Sequence, residues 1–371
     1  MKTEQATRCH RNCEAGMTLI ELMIAAAVGL GVIGAALSML VMSQKATTAN
    51  EQVVETQQNV RVAMEMLARD MRLASYNYVG NVPGAPTVGT CSVTNGTFSR
   101  PVGLRPRDQN PTGADTGPDS ISMVVPLLTD VVTPWALSAN VGGTAIDPVP
   151  FNALPIAAAV ITDMVSQGLA AGSVVSIGGS VVRAVATVSA TSLTLSSSID
   201  GKFPAGTPVY LLQCVTYAVG TTTATCGTGS TACLTRNGVP LVDGIEDIQF
   251  SYGCDGCSTA APNPLSPDGV LDEIDGVNTT SPPAITDFVT NSAWNVPPMS
   301  PETIKQVQIS VVGRQMTPDQ GFSERYTSGV NTSGPVIMSD HNPSADAGYD
   351  ASTYSKLRRR VVTRVIQPRN M

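Results

Sequence analysis

The longest apolar run in the chain covers residues 16–42 and carries one charge, Glu21. About 20 apolar residues are enough to cross a bilayer as a helix. The pattern therefore predicts a membrane-spanning helix over residues 17–42. Glu21 stands near its start, although a carboxylate at mid-bilayer depth costs roughly 2.5–3.5 kcal/mol, so a lone acid there needs a reason. The pattern then becomes periodic. Residues 43–75 contain no Pro or Gly, and Val53, Gln57, Val60, Met64, Leu67, Met71 and Ala74 recur at alternating spacings of four and three. That is an apolar stripe with one polar interruption, which predicts an amphipathic helix over residues 43–75. Glu65 lies four residues from both Arg61 and Arg69 and supports the exposed face. Joined, the two halves predict one helix ~88 Å long at 1.5 Å per residue.

Beyond Tyr78 the punctuation changes to Gly, Pro, Asn and Thr, and apolar positions alternate with period two. Residues 80–118 read as loop with short strands, 121–126 as a strand, and 157–165 as a turn or two of helix. Residues 172–219 read as an antiparallel meander, and 233–238 as a strand entering an Asn-Gly hairpin. In residues 241–252 the expected core positions are Ile245, Ile248, Phe250 and Tyr252. Residues 304–314 alternate on Ile304, Val307, Ile309 and Val311, and residues 357–366 form a closing strand. The fold class is α+β: a long N-terminal helix packed on antiparallel sheet, with residues 76–371 forming a β-rich domain whose C-terminal half is loop-rich. The second half of the helix and the meander are expected to share a core.

Composition narrows the class. Of 371 residues, 14% are charged and 4% aromatic. This suits a secreted β-rich protein better than a cytosolic enzyme. The net charge of −7 gives no general attraction to nucleic acid. Two of the eight cysteines, Cys9 and Cys13, precede the apolar run; Cys91, Cys214, Cys226, Cys233, Cys254 and Cys257 follow it. An even number in a translocated region points to disulfides, and six cysteines allow 15 pairings. Nearest-neighbour pairing gives Cys226–Cys233 and Cys254–Cys257 and leaves Cys91–Cys214, but the sequence does not choose. Cys254-Asp-Gly-Cys257 also has the form of half a metal site or a redox pair, without a second ligand pair to complete it.

The residues before the apolar run give it a direction. Lys2, Arg8 and Arg11 favour a cytoplasmic N-terminus with the bulk of the chain outside. Gly16-Met17-Thr18-Leu19-Ile20-Glu21 resembles the class III signal of type IV prepilins. The resemblance implies that residues 1–16 are a leader, that a membrane aspartyl peptidase cuts after Gly16, and that Met17 becomes the methylated first residue. Glu21 is then the fifth, the assembly acid of that family. Met17 stands where the family usually has Phe. The helix lacks the Pro of many major pilins but holds Gly29, Gly31 and Gly34, each roughly 1 kcal/mol weaker than Ala. An ordinary single-pass anchor with Glu21 at the interface is the plainer alternative.

Four further segments sharpen the resemblance: residues 68–74 (ARDMRLA), 241–253 (LVDGIEDIQFSYG), 307–314 and 358–370. Together they are similar to the PilW minor pilins, relatives of the J-type pseudopilins of type II secretion. What the resemblance implies is a structural subunit and not an enzyme, needing no cofactor, that primes or caps type IV pilus assembly. Its partners would be the prepilin peptidase, the inner-membrane assembly platform, the major pilin and other minor pilins, with a large tip adhesin as a further one. Its location would be the inner membrane before assembly and the pilus afterwards. A J-type pseudopilin is the alternative in the same architecture. A DNA-uptake or surface-binding subunit is the alternative of another class; it would rest on Lys356, Arg358, Arg359, Arg360, Arg364 and Arg369 and on the long loop over 254–303. The plainer account of that basic run is edge protection or an intramolecular role.

Candidate chemistry is sparse. Residues 267–275 resemble part of a calcium loop, with Asp268, Asp272 and Asp275 at ligand positions, but the first position is Pro264. The only histidine after the apolar run is His341, and no G-x-S-x-G, P-loop or H-E-x-x-H motif occurs. Gly29, Gly31 and Gly34 spell G-x-G-x-x-G inside a helix, where no dinucleotide turn can form. Glu246 and Asp247 are neighbours on a strand and face opposite ways, so no catalytic residue is assigned.

Overall fold

The computed structural model describes residues 17–75, 86–95, 98–127, 135–143, 149–257, 271, 288–290, 292–295, 299–318 and 335–368. The protein is α+β, a long N-terminal helix followed by antiparallel sheets. It divides into two compact units, Met1–Gln52 and Val53–Met371. Helix α1, Leu19–Leu73, forms the first unit's described structure and opens the second.

In the first unit the large apolar side chains between Met17 and Met42 are exposed. Three hydroxyls bond back within the helix: Ser38 donates to the Ala35 carbonyl at 2.8 Å, Thr47 to Ser43 at 3.0 Å and Thr48 to Gln44 at 3.1 Å. Such back-bonding lets a hydroxyl sit in apolar surroundings without a foreign partner.

Among the described residues the second unit holds fourteen strands and short helices. In chain order they are β1 (Ser92–Asn95), β2 (Phe98–Pro101), β3 (Leu104–Arg107), β4 (Ser120–Pro126), β5 (Phe151–Pro155) and helix α2 (Ala158–Ser166). Then come β6 (Val174–Ile177), β7 (Val181–Val188), β8 (Ser192–Ile199), β9 (Val209–Gly220), β10 (Cys233–Arg236), β11 (Val239–Asp243), β12 (Ile245–Cys254), β13 (Ile304–Arg314) and β14 (Arg359–Ile366). Strands β12-β13-β14 form one sheet; the larger sheet runs β11-β10-β9-β6-β7-β8-β5, with β4 pairing β9 and β3 pairing β4. The β10–β11 hairpin turns on Asn237 (φ 54°) and Gly238 (φ 78°), the two left-handed residues that a tight hairpin turn requires.

The main core lies under the second half of α1. Val60, Ala63, Met64, Leu67, Ala68 and Met71 pack with Ile121 and Met123 of β4 and Val215 and Tyr217 of β9. They also pack with Ile245, Ile248, Phe250 and Tyr252 of β12 and Ile304, Val307, Ile309 and Val311 of β13. Helix and strand come close at Gly313, where an added Cβ would lie 2.1 Å from Val60 Cγ2.

Three expectations change. Gln57 is exposed, and Thr56 takes its place on the buried face, because the face that holds Val60 and Met64 continues by a further step of four. Strands β6, β7 and β8 do form hairpins, but β9 does not follow beside β8. It returns to pair with β6, and β5 takes the free edge of β8. This is a Greek-key connection, not a plain meander. Nor do these hairpins share the helix's core. Val175, Val185, Leu193 and Leu195 pack with Ile161 and Met164 of α2 in a separate cluster, and of the strands β6 to β9 only β9 contributes to the core under α1.

Candidate functional site

The start of α1 is built by its own sequence. Thr18 is the N-cap: its carbonyl accepts the first helical bond from Leu22 N at 3.2 Å. Its hydroxyl accepts from Glu21 N at 3.3 Å, and Glu21 Oε2 accepts in return from Thr18 N and from the Thr18 hydroxyl, both at 3.2 Å. This is a reciprocal capping box, T-x-x-E, and it puts a carboxylate at the positive end of the helix dipole. The acid that had no partner in the sequence therefore has a local one. Met17, one residue before the cap, is 65% exposed. Gly16 and the leader lie outside the described residues. An added Cβ on Gly29, Gly31 or Gly34 would meet nothing within 4 Å, so no contact within the chain demands these glycines.

The far end of α1 is locked to the sheet by Asp70. Its buried carboxylate accepts from Tyr217 Oη at 2.7 Å and from Arg236 Nε at 3.1 Å through Oδ2, while Arg69 Nε lies 3.3 Å from Oδ1. Burial, with the Asp70 carboxylate behind it, pushes the Tyr217 hydroxyl well above its usual range, so it stays a donor.

The basic C-terminal run divides. Arg359 is turned inward: Nε and Nη2 bind the two oxygens of Glu246 at 2.5 and 2.9 Å, and the guanidinium lies 3.2 Å from the Tyr354 ring centroid. Arg360 and Arg364 are exposed on β14, the edge of its sheet among the described residues. Arg369 lies outside the described residues. Beside Arg359, a cavity of about 320 Å³ is lined by Glu246, Asp247, Arg314, His341, Asp346 and Tyr354, among others. His341 is buried there with Nδ1 2.7 Å from Asp247 Oδ2 and Nε2 2.9 Å from Asp346 Oδ1. Burial alone would lower its pKa, but the hydrogen bonds and charges of Asp247 and then Asp346 outweigh it and raise it to about 9. Glu246 and Asp247 serve different partners, Arg359 and His341.

Disulfides join Cys91 to Cys214, Cys226 to Cys233 and Cys254 to Cys257. The first ties the segment before β1 to β9, and the second closes the link between β9 and β10. The calcium candidates Asp268, Asp272 and Asp275, and most of the long loop, lie outside the described residues.

A different acidic group does assemble. Asp108, Asp115 and Asp119, from the β3–β4 connection, present ligand atoms that all lie within 4.8 Å of one another. Asp119 also closes the free edge of β12: its N–H donates to Ile248 O at 3.0 Å, and its Oδ2 accepts from Phe250 N at 2.9 Å. Burial, relieved in part by the bond from Phe250 N and worsened by Asp115, raises Asp119 to about 9; burial likewise raises Asp108 to about 7. Sequence reading missed this group because three acids in a Gly- and Pro-rich stretch look like solvated loop. It missed Asp70 because Tyr217 is 147 residues away. It missed the cap as well, although Thr18-x-x-Glu21 has the spacing of a capping box.

Residues 210–370, from β9 through β14, match the family described as Type IV Pilus-assembly protein W, PilW. That family is one of pilus assembly and is not a known enzyme family. No curated protein and no solved structure matches the chain. His341, Glu246 and Arg359 fall inside the matched segment; α1 and the Asp108 group lie outside it.

Proposed function

We propose that this chain, a PilW-family type IV pilus protein by its residues 210–370, is a minor pilin that primes or caps pilus assembly. The observation that carries the proposal is the apolar stretch of the first unit, residues 17–42: its large apolar side chains are exposed, and Glu21 is its one acid. So much apolar surface needs a non-aqueous environment. Lipid supplies it before assembly, and a bundle of like helices supplies it afterwards. Cleavage after Gly16 creates an ammonium at Met17, where it is methylated. In the polymer Glu21 pairs with the ammonium of a neighbouring subunit, which offsets the burial of either charge alone. The chain then lies in the inner membrane until the assembly platform extracts it, with other minor pilins, the major pilin and a tip adhesin as its neighbours. It carries no catalytic role.

The test compares three variants in sheared pili, by immunoblot and by mass of the intact subunit. Gly16→Arg keeps the leader and is absent from pili. Glu21→Ala is processed and inserted but not incorporated. Thr18→Ala loses about 1 kcal/mol of capping yet is incorporated. Normal incorporation of Glu21→Ala, or a processed subunit from Gly16→Arg, overturns the proposal.

A further inference from the structure

The β3–β4 connection folds back so that Asp108, Asp115 and Asp119 face one another, and each carboxylate is held by backbone N–H groups. Asp108 accepts from Asn110 N through Oδ1 and from Ser292 N through Oδ2, both at 2.9 Å. Asp115 Oδ1 accepts from Asn110 N at 2.8 Å. Asp119 accepts from Gln109 N at 3.0 Å and from Phe250 N at 2.9 Å. These bonds fix the orientation of each group as outer-shell donors fix metal ligands, and they leave a lone pair on every oxygen.

Asp115 supplies the decisive observation. It is fully buried, and among the described residues its Oδ2 has no hydrogen-bond partner. A buried carboxylate oxygen without a donor costs its whole desolvation penalty. Among the described residues no Lys or Arg forms an ion pair with Asp108, Asp115 or Asp119. A fourth acid adjoins them: a bridge between Asp115 and His341 brings Asp340 alongside, and both Asp340 carboxylate oxygens are shielded from solvent. Such a group, all oxygen and with no Lys or Arg paired to its three aspartates, has the donor set of a hard cation.

We propose that Asp108, Asp115 and Asp119, with Asp340 beside them, form a calcium site. The mutual separations of up to 4.8 Å fit within the span of two opposed oxygens on calcium, each at about 2.4 Å. Magnesium draws its oxygens in to about 2.1 Å and holds several waters. The ion would join three stretches distant in sequence: the β3–β4 connection, the free edge of β12 through Asp119, and the turn between Met338 and His341. It would staple a loop-rich region that has little apolar core of its own.

The test uses the full chain in detergent micelles, stripped with EDTA and titrated with calcium chloride. A dissociation constant on the order of 10⁻⁴ M, within the range of extracellular calcium modules, would raise the melting temperature by about 4 °C or more at about 5 mM calcium. Asp115→Asn weakens calcium at least about tenfold, while in EDTA it melts no lower than the parent because a repelling charge is gone. Asp243→Asn, at an exposed position, keeps the full response. A second readout needs no variant: terbium bound here is sensitised by Tyr252, which lies near enough to Asp119 and Asp108 to feel their charges, and calcium displaces it. No calcium response in the parent, an undiminished response in Asp115→Asn, or terbium emission that calcium does not quench overturns the proposal.

Discussion

Gly313 is where the docking of α1 on its sheet can be tested with one atom. It lies in the central strand β13, paired with Ile245 on one side and Arg360 on the other. A central strand gains nothing from glycine unless another backbone comes close. An added Cβ would stand 2.1 Å from Val60 Cγ2, 3.5 Å from Thr56 Cγ2 and 3.6 Å from Gly244 O. Val60 is fully buried among the residues under the helix, so it cannot swing clear; helix or strand has to move by more than an ångström. Overpacking of this kind costs about 1–3 kcal/mol, and the reduced freedom of the unfolded chain returns about 0.4–1 kcal/mol to an alanine. The expected net loss for Gly313→Ala is about 1–2 kcal/mol. Val60→Ala opens the needed space, so the double variant should be more stable than the sum of the two single losses by about 1–2 kcal/mol. Urea unfolding in mild detergent reads this through Trp294, which is fully buried with its ring centroid 5.2 Å from that of Tyr252. If Gly313→Ala unfolds within about 0.3 kcal/mol of the parent, or the pair is additive within about 0.5 kcal/mol, α1 does not lie on β13 in this register.

Two further outcomes follow from the second unit. His341 is held protonated up to about 9 when folded and to about 6.5 when unfolded. Its contribution is therefore full below about 6.5 and lost as pH rises through about 9; the melting temperature should fall across that window, and less steeply in His341→Gln, whereas an unchanged slope in the variant would exclude this origin. Tyr217→Phe takes one donor from a buried carboxylate that keeps Arg236, so a loss of about 1–2 kcal/mol is expected by urea unfolding; no measurable loss would remove Asp70 from the helix lock.

Much of the scaffold can be read from local pattern, and the failures share one cause. The stripe of Val60, Met64, Leu67 and Met71 and the alternation through Ile245, Ile248, Phe250 and Tyr252 specify faces, and those faces are buried. Alternation does not specify which strand lies alongside. Nothing in β9 itself says that it pairs with β6, β4 and β10 and not with β8. A strict alternation of four and three puts Gln57 on the stripe, whereas the buried face runs by steps of four through Thr56, Val60 and Met64. The Asp108 group is less legible still. Its members meet only because β3 and β4 close a hairpin and because β12 leaves an edge for Asp119 to cap. The intramolecular role expected in the basic run falls to Arg359, but nothing in the run itself says that Glu246 and Tyr354 are its partners.

The cap at Thr18 changes what Glu21 has to do. In the unassembled chain its carboxylate already accepts from Thr18 N and the Thr18 hydroxyl, so the acid does not enter the membrane without partners. Under the assembly proposed above, the ammonium of a neighbouring subunit competes with this cap. A capping interaction is worth about 1 kcal/mol, whereas leaving one member of a buried ion pair alone costs about 3–5 kcal/mol. The intermolecular pair therefore wins once the helices exclude lipid and water, and the cap holds while they do not. Two different dependences follow. Thr18→Ala weakens the competitor, because it removes the hydroxyl donor and keeps the backbone N–H and the carboxylate, so incorporation into pili should be equal to or above that of the parent. Glu21→Ala removes both partners, and Glu21→Gln keeps a weaker acceptor for the cap but no charge for the ammonium. If Glu21→Gln enters pili as well as the parent while Thr18→Ala does not, the acid is there to start the helix and the intermolecular pair is not what retains it.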